Sequence, residues 1–188
     1  MNEVLLQLKL ATQELHDLTE QHAHAAQIRA GTLTRSQYET LLSKNYHIHT
    51  HLEEAIQSSP AFPEIQDFFL TRTPWLEQDL KHLHLPPKTF FPPASLNFNQ
   101  IPQLIGALYV VEGSMLGGRM IAKLLQRQAE FTDCKAFHFY EGKGAATKNR
   151  WKVFATLAEK YITTSEEQTA AKTAAIQTFQ FFLSVYQN

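Results

Sequence analysis

The chain has one cysteine, no long apolar run and almost no net charge. Cys134 alone cannot form an internal disulfide, which is typical of a protein in a reducing cytoplasm. The N-terminus has no basic leader followed by an apolar core, so we expect no signal peptide. Glu112 and Arg119 interrupt the most apolar segment well short of about 20 residues, so no membrane span is expected. The formal net charge of −1 makes nucleic acid a poor candidate partner.

Proline is missing from most of the chain, because all eight prolines lie between Pro60 and Pro102. The flanking regions therefore permit helices throughout. No segment shows sustained alternation of apolar and polar residues with β-branched side chains, so no sheet is expected. The sequence predicts an all-α fold of about seven or eight helices in a single domain, residues 1–188. Helical spacing of apolar residues places the helices at 2–29, 34–57, 63–70, 73–83, 103–128, 145–161 and 164–186.

Glycine is scarce as well, yet four of the seven glycines fall within the predicted helix 103–128. Each helical glycine costs about 1 kcal/mol relative to alanine, so something must require them. At about 100° per residue, Gly106, Gly113 and Gly117 lie within roughly 40° of one another, and Gly118 lies beside them. This stripe of bare backbone has two explanations. Either a flat, bulky ligand lies against it, or another helix packs closely through Gly113-x-x-x-Gly117.

Three segments resemble the haem oxygenases, especially the biliverdin-producing bacterial type associated with bacteriophytochromes. LYVVEGSMLGGRMI, residues 108–121, is similar to the distal helix of that family. LKLATQELHDLTE, residues 8–20, resembles its proximal helix, and the run 137–150 resembles a later family segment. Together the matches cover close to half of the chain. They imply that haem, as substrate and cofactor, lies between the first helix and the glycine helix.

The resemblance implies a role for several residues on the first helix and near residue 150. His16 stands where the family has its iron ligand, and neutral imidazole is a suitable axial ligand for haem iron. Glu20, one turn on, is in reach of the other imidazole nitrogen and can fix the ring's tautomer. Lys9 and Arg150 stand where the family places bases for the haem propionates, and Tyr109 stands on the distal helix in contact with haem.

The distal side carries the implied catalytic residues Gly113, Ser114, Gly117 and Gly118. The resemblance implies that haem, O2 and electrons from an external donor give biliverdin, carbon monoxide and ferrous iron. Many family members have an aspartate just after the first distal glycine, where it orders the water that supplies protons. This chain has Ser114, whose hydroxyl binds water but is not an acid. The proton supply, and the porphyrin carbon that is attacked, therefore stay open.

Other histidines and other protein classes are alternatives to this interpretation. His24 lies near the side of the helix that carries His16, and His47 and His51, at i and i+4, are spaced for a metal or for a solvated helix surface. A non-catalytic haem- or bilin-binding protein is the first rival class. A di-iron carboxylate bundle needs Glu-x-x-His motifs, which this sequence lacks. A thiamin-processing helical enzyme needs a pocket cysteine, and Cys134 lies in a predicted loop.

The expected partners follow from charge and from the resemblance. From Arg119 to Lys152 the chain has eight Lys/Arg and three Asp/Glu, whereas the whole chain has a net charge of −1. A basic surface beside the haem suits an acidic electron donor such as a ferredoxin or another reductase. The resemblance also implies a bacteriophytochrome as the recipient of the bilin. We expect no nucleic acid or membrane partner and a cytoplasmic protein.

Overall fold

The computed structural model describes residues 2–88, 90 and 95–188, and within these residues it is all-α, with no strand. Three short 3-10 turns, Phe62–Glu64, Ala129–Phe131 and Gly144–Ala146, connect the helices. The predicted fold class is confirmed. The α-helices are α1 Glu3–His22, α2 Ala25–Ala30, α3 Arg35–Gln57, α4 Thr73–His82, α5 Ile101–Gln126, α6 His138–Glu141, α7 Thr147–Tyr161 and α8 Ser165–Gln187.

The glycine-containing helix α5 lies at the centre of the fold. It packs against α8, α7 and α6, while α1 packs mainly on α8. By length and mean hydropathy (1.3 over 18 residues) α5 could cross a membrane, but 56% of that window is buried within the protein. The apolar character of α5 is therefore explained by its place in the core.

Side-chain caps define the starts of the long helices. Thr34 and Gln37 form the predicted capping box of α3, and Thr164 and Glu167 form that of α8. Gln100, with Gln103 three residues on, caps α5 in the same reciprocal way, and this cap was not predicted. These caps satisfy backbone N–H groups that have no partner within the helix.

The helix predicted over 2–29 is broken, because His24 adopts a left-handed conformation with φ 60° and ψ 27°. Histidine is among the non-glycine residues that tolerate this region. The chain turns there, and the separate helix α2 ends at Gly31 (φ 71°), as predicted for the stop. The break brings Ala25, Ile28 and Arg29 of α2 to the cavity described below.

The proline-rich connection differs from prediction in its details. The helix predicted from Pro63 to Leu70 is only the 3-10 turn Phe62–Glu64, and Arg72 rather than Thr73 precedes the first turn of α4. Phe98 is fully buried and Phe90 packs against the core, as expected for aromatic residues that fix a loop. Phe91 lies outside the described residues. The loop predicted over 129–144 contains α6.

Candidate active site

A cavity of about 680 Å3 lies between α1 and α5. α2, α3, α6 and α8 contribute to its walls, and Trp151 of α7 lines it as well. The walls are mostly apolar, with Leu116, Met120 and Ile121 on α5 and Phe179 and Phe182 on α8. A cavity of this size and lining suits a large, flat, mainly apolar ligand.

The glycines of α5 have two different functions. A Cβ atom at Gly106 would overlap the backbone carbonyl of Ala171 on α8, and one at Gly118 would lie 2.6 Å from the Tyr140 carbonyl oxygen. At Gly113 a Cβ would meet only the Trp151 ring at 3.8 Å, and at Gly117 it would meet nothing within 4 Å. Close helix packing through Gly113-x-x-x-Gly117 is therefore not what the structure shows, and such packing occurs at the other two glycines. Gly106 and Gly118 permit close helix packing, whereas Gly113 and Gly117 leave the cavity wall bare.

His16 on α1 lines the same cavity with half of its side chain exposed. Glu20 Oε1 lies 3.8 Å from His16 Nε2, and Asp17 Oδ1 lies 3.4 Å from His16 Nδ1. Two carboxylates thus flank the ring, of which only Glu20 is predicted from the sequence. The opposite oxygen of Glu20 lies 3.6 Å from the guanidinium of Arg29 on α2.

Lys9 and Tyr109 also line the cavity, from α1 and α5 respectively. Lys9 lies seven residues before His16, about 10 Å along the helix axis. Its side chain is exposed, so its ammonium is available to an anionic group at that end of the cavity. Burial raises the pKa of Tyr109, whose ring packs 6.0 Å from that of Trp151. Its hydroxyl therefore stays protonated at neutral pH.

Ser114 lines the cavity next to Gly113, but its hydroxyl hydrogen already forms a hydrogen bond within α5. Ser114 Oγ donates to the Val111 carbonyl oxygen at 2.8 Å, one turn earlier in α5. The hydroxyl can still accept a hydrogen bond from water. It is not a free donor to a ligand in the cavity.

Arg150 is not among the residues that line the cavity. Its guanidinium donates to both carboxylate oxygens of Glu112, at 2.7 and 2.9 Å, and to the Phe68 carbonyl oxygen at 2.6 Å. Glu112 is buried and also pairs with the buried Arg72 at 2.6 Å. The structure therefore assigns Arg150 to a buried ion-pair network that joins α7 to α5 and to Arg72, the residue before α4. Trp151 is the residue of α7 that reaches the cavity.

One part of the cavity wall is polar, which was not predicted. Asn45 and His49 of α3, Tyr140 of α6 and Tyr186 of α8 line it. The histidine-rich segment of α3 is not a solvated surface, since His47 and His49 are 3% and 1% exposed. The available signal was Asn45 and His49 at i and i+4, the spacing of two residues that share one side of a helix.

The remaining candidates lie elsewhere. His24 does not line the cavity. The rings of His47 and His51 are 4.1 Å apart, but within the described part of the chain no group of three or more His, Cys, Asp or Glu could hold a metal ion. Cys134 is partly buried in the loop before α6, outside the cavity lining.

The comparisons with known proteins decide the family. The family model described as heme oxygenase matches residues 2–88 and 94–188. The chain belongs to the haem oxygenase family. This confirms the resemblance drawn from the three sequence segments. No curated protein sequence matched.

Two solved structures of haem oxygenases share the fold. The NO- and CO-bound haem oxygenase from Neisseria meningitidis superposes with a TM-score of 0.76 at 20% identity, covering 98% of this chain and 90% of that one. The haem oxygenase from Leptospira interrogans gives a TM-score of 0.75 at 18% identity, covering 97% and 98%. At these identities the likeness concerns the fold.

The residues of the cavity are compatible with haem, the substrate of the haem oxygenase family. A Cβ atom at Gly117 would stand in the open cavity, so the missing side chains provide space for a flat ring at that wall. On the α1 side, His16 offers a half-exposed imidazole, and Lys9 offers a cation for a carboxylate. The apolar residues of α5 and α8 would cover the ring.

Proposed function

We propose that this haem oxygenase converts haem to biliverdin, carbon monoxide and ferrous iron, using O2 and electrons from an external donor. The observation that supports this most strongly is that His16 of α1 and the bare backbone at Gly113 and Gly117 of α5 line one cavity. Haem, when bound, supplies the iron at which oxygen is activated and the ring that is opened. The protein has to bind, orient and enclose it.

His16 is the proposed iron ligand. The other nitrogen of its ring is then free to donate to a carboxylate, and Glu20 and Asp17 are both within 4 Å of the ring. Such a carboxylate fixes the imidazole's tautomer and makes the ring a stronger ligand. Arg29 pairs with the same Glu20 carboxylate, so it weakens the effect of that carboxylate on the imidazole.

The bare backbone of α5 at Gly113 and Gly117 is proposed to set the space between this helix and the haem ring. Gly113 and Gly117 present backbone atoms rather than side chains, so a flat ligand can lie close to this helix. Leu116, Met120 and neighbouring apolar residues exclude bulk water, which limits side reactions. Ser114 is proposed to contribute as a hydrogen-bond acceptor for water.

Lys9 is the proposed propionate anchor, because it is exposed and lines the cavity. The structure supports no such role for Arg150, whose donors are paired with Glu112. Tyr109 and Trp151 pack together beside Gly113 and would contact the ring edge.

We further propose an acidic electron donor, ferredoxin-like or another reductase, working in the cytoplasm. Seven of the eight cationic residues between Arg119 and Lys152 are exposed, the exception being Arg150. Arg119 and Lys123 lie beside exposed Met120 at the cavity, which would place a donor near the haem. Delivery of biliverdin to a bacteriophytochrome remains a proposal from the sequence resemblance.

The test is aerobic incubation of the purified protein with one equivalent of haem and a reducing system. We expect the Soret band to disappear, a bilin band to appear and carbon monoxide to be released, and none of these under argon. If the haem stays bound but intact in air, the chain is a non-catalytic haem-binding protein on this fold. Ser114, which is not an acid, is the residue that makes that alternative worth testing.

A further inference from the structure

We propose that the ion pair of Glu20 with Arg29 sets the in-plane orientation of haem in the cavity, and with it the ring carbon that is oxidised. This role rests on the proposed function, because it concerns the specificity of that reaction. Glu20 neutralises Arg29 and leaves Lys9 as the cation towards which the haem carboxylates turn. The pair determines specificity without itself binding a carboxylate of the ring.

Few ionisable side chains line the cavity, and they include both signs of charge. Among the described residues these are Lys9, His16, Glu20, Arg29 and His49. His49 is neutral, because burial lowers its pKa to about 3, and His16 is the proposed iron ligand. Two cations and one carboxylate therefore remain to interact with the carboxylates of a bound ring.

The two cations are far apart, and His16 lies between them along α1. Lys9 and Glu20 are 11 residues apart, which is about 16 Å along the helix axis. Arg29 Nη1 lies 3.6 Å from Glu20 Oε2, so Arg29 stands near the Glu20 end of that span. Haem carries both of its carboxylates on one edge. A ring that turns this edge towards Lys9 therefore turns it away from Arg29.

Lys9 is the cation without an acidic partner. The positions three and four residues away on α1 hold Leu5, Leu6, Thr12 and Gln13. None of these is a carboxylate, so α1 offers Lys9 no neighbour of opposite charge. The ion pairs formed within residues 2–88, 90 and 95–188 do not include Lys9. Its charge is therefore free to attract an anionic group in the cavity.

Arg29, in contrast, is both neutralised and shielded by Glu20. The chain turns at His24, and the short helix α2 that follows brings Arg29 to the last turn of α1. A haem carboxylate that approached Arg29 would also approach the Glu20 carboxylate, and like charges repel. Glu20 therefore disfavours the orientation that points the haem carboxylates at Arg29.

A small energy difference is enough for this selection. A tenfold preference between two orientations corresponds to about 1.4 kcal/mol. The side chains of Glu20 and Arg29 are 50% and 64% exposed, so their pair contributes little to folding. Both line the cavity, and a bound ring would exclude water from them, which strengthens their interaction with its carboxylates. The pair is therefore better suited to select an orientation than to stabilise the fold.

Glu20 also contacts His16, and its two roles can be separated. Oε1 of Glu20 lies 3.8 Å from His16 Nε2, whereas Oε2 is the oxygen next to Arg29. Glu20→Gln removes the charge but keeps an oxygen that can accept a hydrogen bond from the imidazole. Adding Arg29→Gln then removes the cation that the first substitution releases. A change caused through His16 would persist in this double variant, and a change caused through Arg29 would not.

Proton NMR of the ferric cyanide complex measures the orientation, because each orientation gives its own set of ring-methyl resonances. The probe is a synthetic haem whose two vinyl groups are replaced by methyl groups, so that turning the ring over creates no second set. We expect one main set in the wild type. In Glu20→Gln a second set should increase about tenfold relative to the first, and Glu20→Gln/Arg29→Gln should return to one main set.

The matched control is Glu14→Gln, which removes an exposed carboxylate of α1 outside the cavity lining and should match the wild type. If Glu20→Gln does not bind the probe, Lys9→Gln is the substitute. It removes the attracting cation, so the second set should increase there as well.

Three results overturn the proposal: two comparable sets in the wild type, one set in Glu20→Gln, or a second set that persists in the double variant. None of these spectra requires turnover, so they test the pair even if the chain forms no bilin. Where bilin does form from haem, chromatography should show one isomer from the wild type and a second isomer from Glu20→Gln. The same single isomer from both proteins would contradict the link to specificity.

Discussion

At the scale of single residues, the glycines of α5 show what a sequence can and cannot specify. Their spacing predicted a bare stripe, and the stripe exists. The sequence could not tell that α8 covers it at Gly106 while the cavity opens at Gly113 and Gly117, because that depends on where another helix crosses. Arg150 is a similar case, since its pairing with Glu112 arises from the approach of α7 to α5.

The two kinds of glycine predict opposite results of substitution. Gly117→Leu should keep the free energy of unfolding or raise it by up to about 1 kcal/mol. Its side chain would fill cavity space, which should weaken haem binding by about 1–3 kcal/mol, roughly 5- to 150-fold. Gly106→Ala should destabilise the fold by about 1–3 kcal/mol through overlap with Ala171. Thermal unfolding measures the two stabilities, and a haem titration measures the affinity. An unchanged haem affinity in Gly117→Leu would contradict the proposal that haem lies against α5 at Gly117.

The buried network of Glu112 predicts a large stability effect. Glu112→Ala leaves Arg72 buried without its 2.6 Å carboxylate partner and also releases Arg150. Loss of one member of a buried pair costs about 3–5 kcal/mol, measurable by urea unfolding. The control is Glu39→Ala, which breaks a half-exposed pair with Arg35 and should cost less than about 1 kcal/mol. Equal losses in the two variants would be inconsistent with the network.

Because His49 is buried, we expect the free energy of unfolding to depend on pH. In the folded protein its pKa is about 3, against 6.5 for the free side chain, so between these values the unfolded chain binds one more proton. The free energy of unfolding should therefore fall as pH drops from 6.5 to 3, by up to about 1.4 kcal/mol per pH unit from this group. His49→Phe should lose that slope, and His84→Asn, at an exposed left-handed position, should retain it. An unchanged slope in His49→Phe would contradict the assignment.

At the scale of elements, most helices could be predicted because caps and apolar spacing act locally. The capping boxes at Thr34 and Thr164 and the stop at Gly31 appear where the sequence indicated. The break at His24 and the short helix α6 were not predicted, and in the case of α6 a tertiary partner stabilises the helix. For α6 that partner is Asp79 of α4, whose Oδ1 accepts from the His138 N–H and whose Oδ2 accepts from the Phe139 N–H, both at 2.9 Å.

The dependence of α6 on Asp79 can be tested directly. Asp79→Ala removes both backbone hydrogen bonds and the 2.7 Å contact with His138 Nδ1. Amide exchange at residues 138–141 should become faster, and haem affinity should fall, because Phe139 and Tyr140 of α6 line the cavity. The exposed Asp133, in the same connection, supplies the control Asp133→Ala. Unchanged exchange at residues 138–141 in Asp79→Ala would show that α6 is held by other contacts.

At the scale of the whole molecule, the family and the all-α architecture could be predicted from the sequence. The residues that line the cavity could be predicted only in part. His16, Lys9, Glu20, Tyr109, Gly113, Ser114, Gly117 and Gly118 all line one cavity although they come from two distant segments. The polar part of the lining, formed by α3, α6 and α8, could not be predicted from the sequence, because it requires three helices to meet. The central claim is that haem binds in this cavity with His16 as its iron ligand.

A haem titration of the wild type, His16→Ala and His24→Asn tests that claim most directly. We predict a saturable Soret shift at one equivalent in the wild type and in His24→Asn. His16→Ala should give a different spectrum that added imidazole converts to that of the wild type. Identical spectra for the wild type and His16→Ala, or no Soret shift in the wild type, would contradict the account.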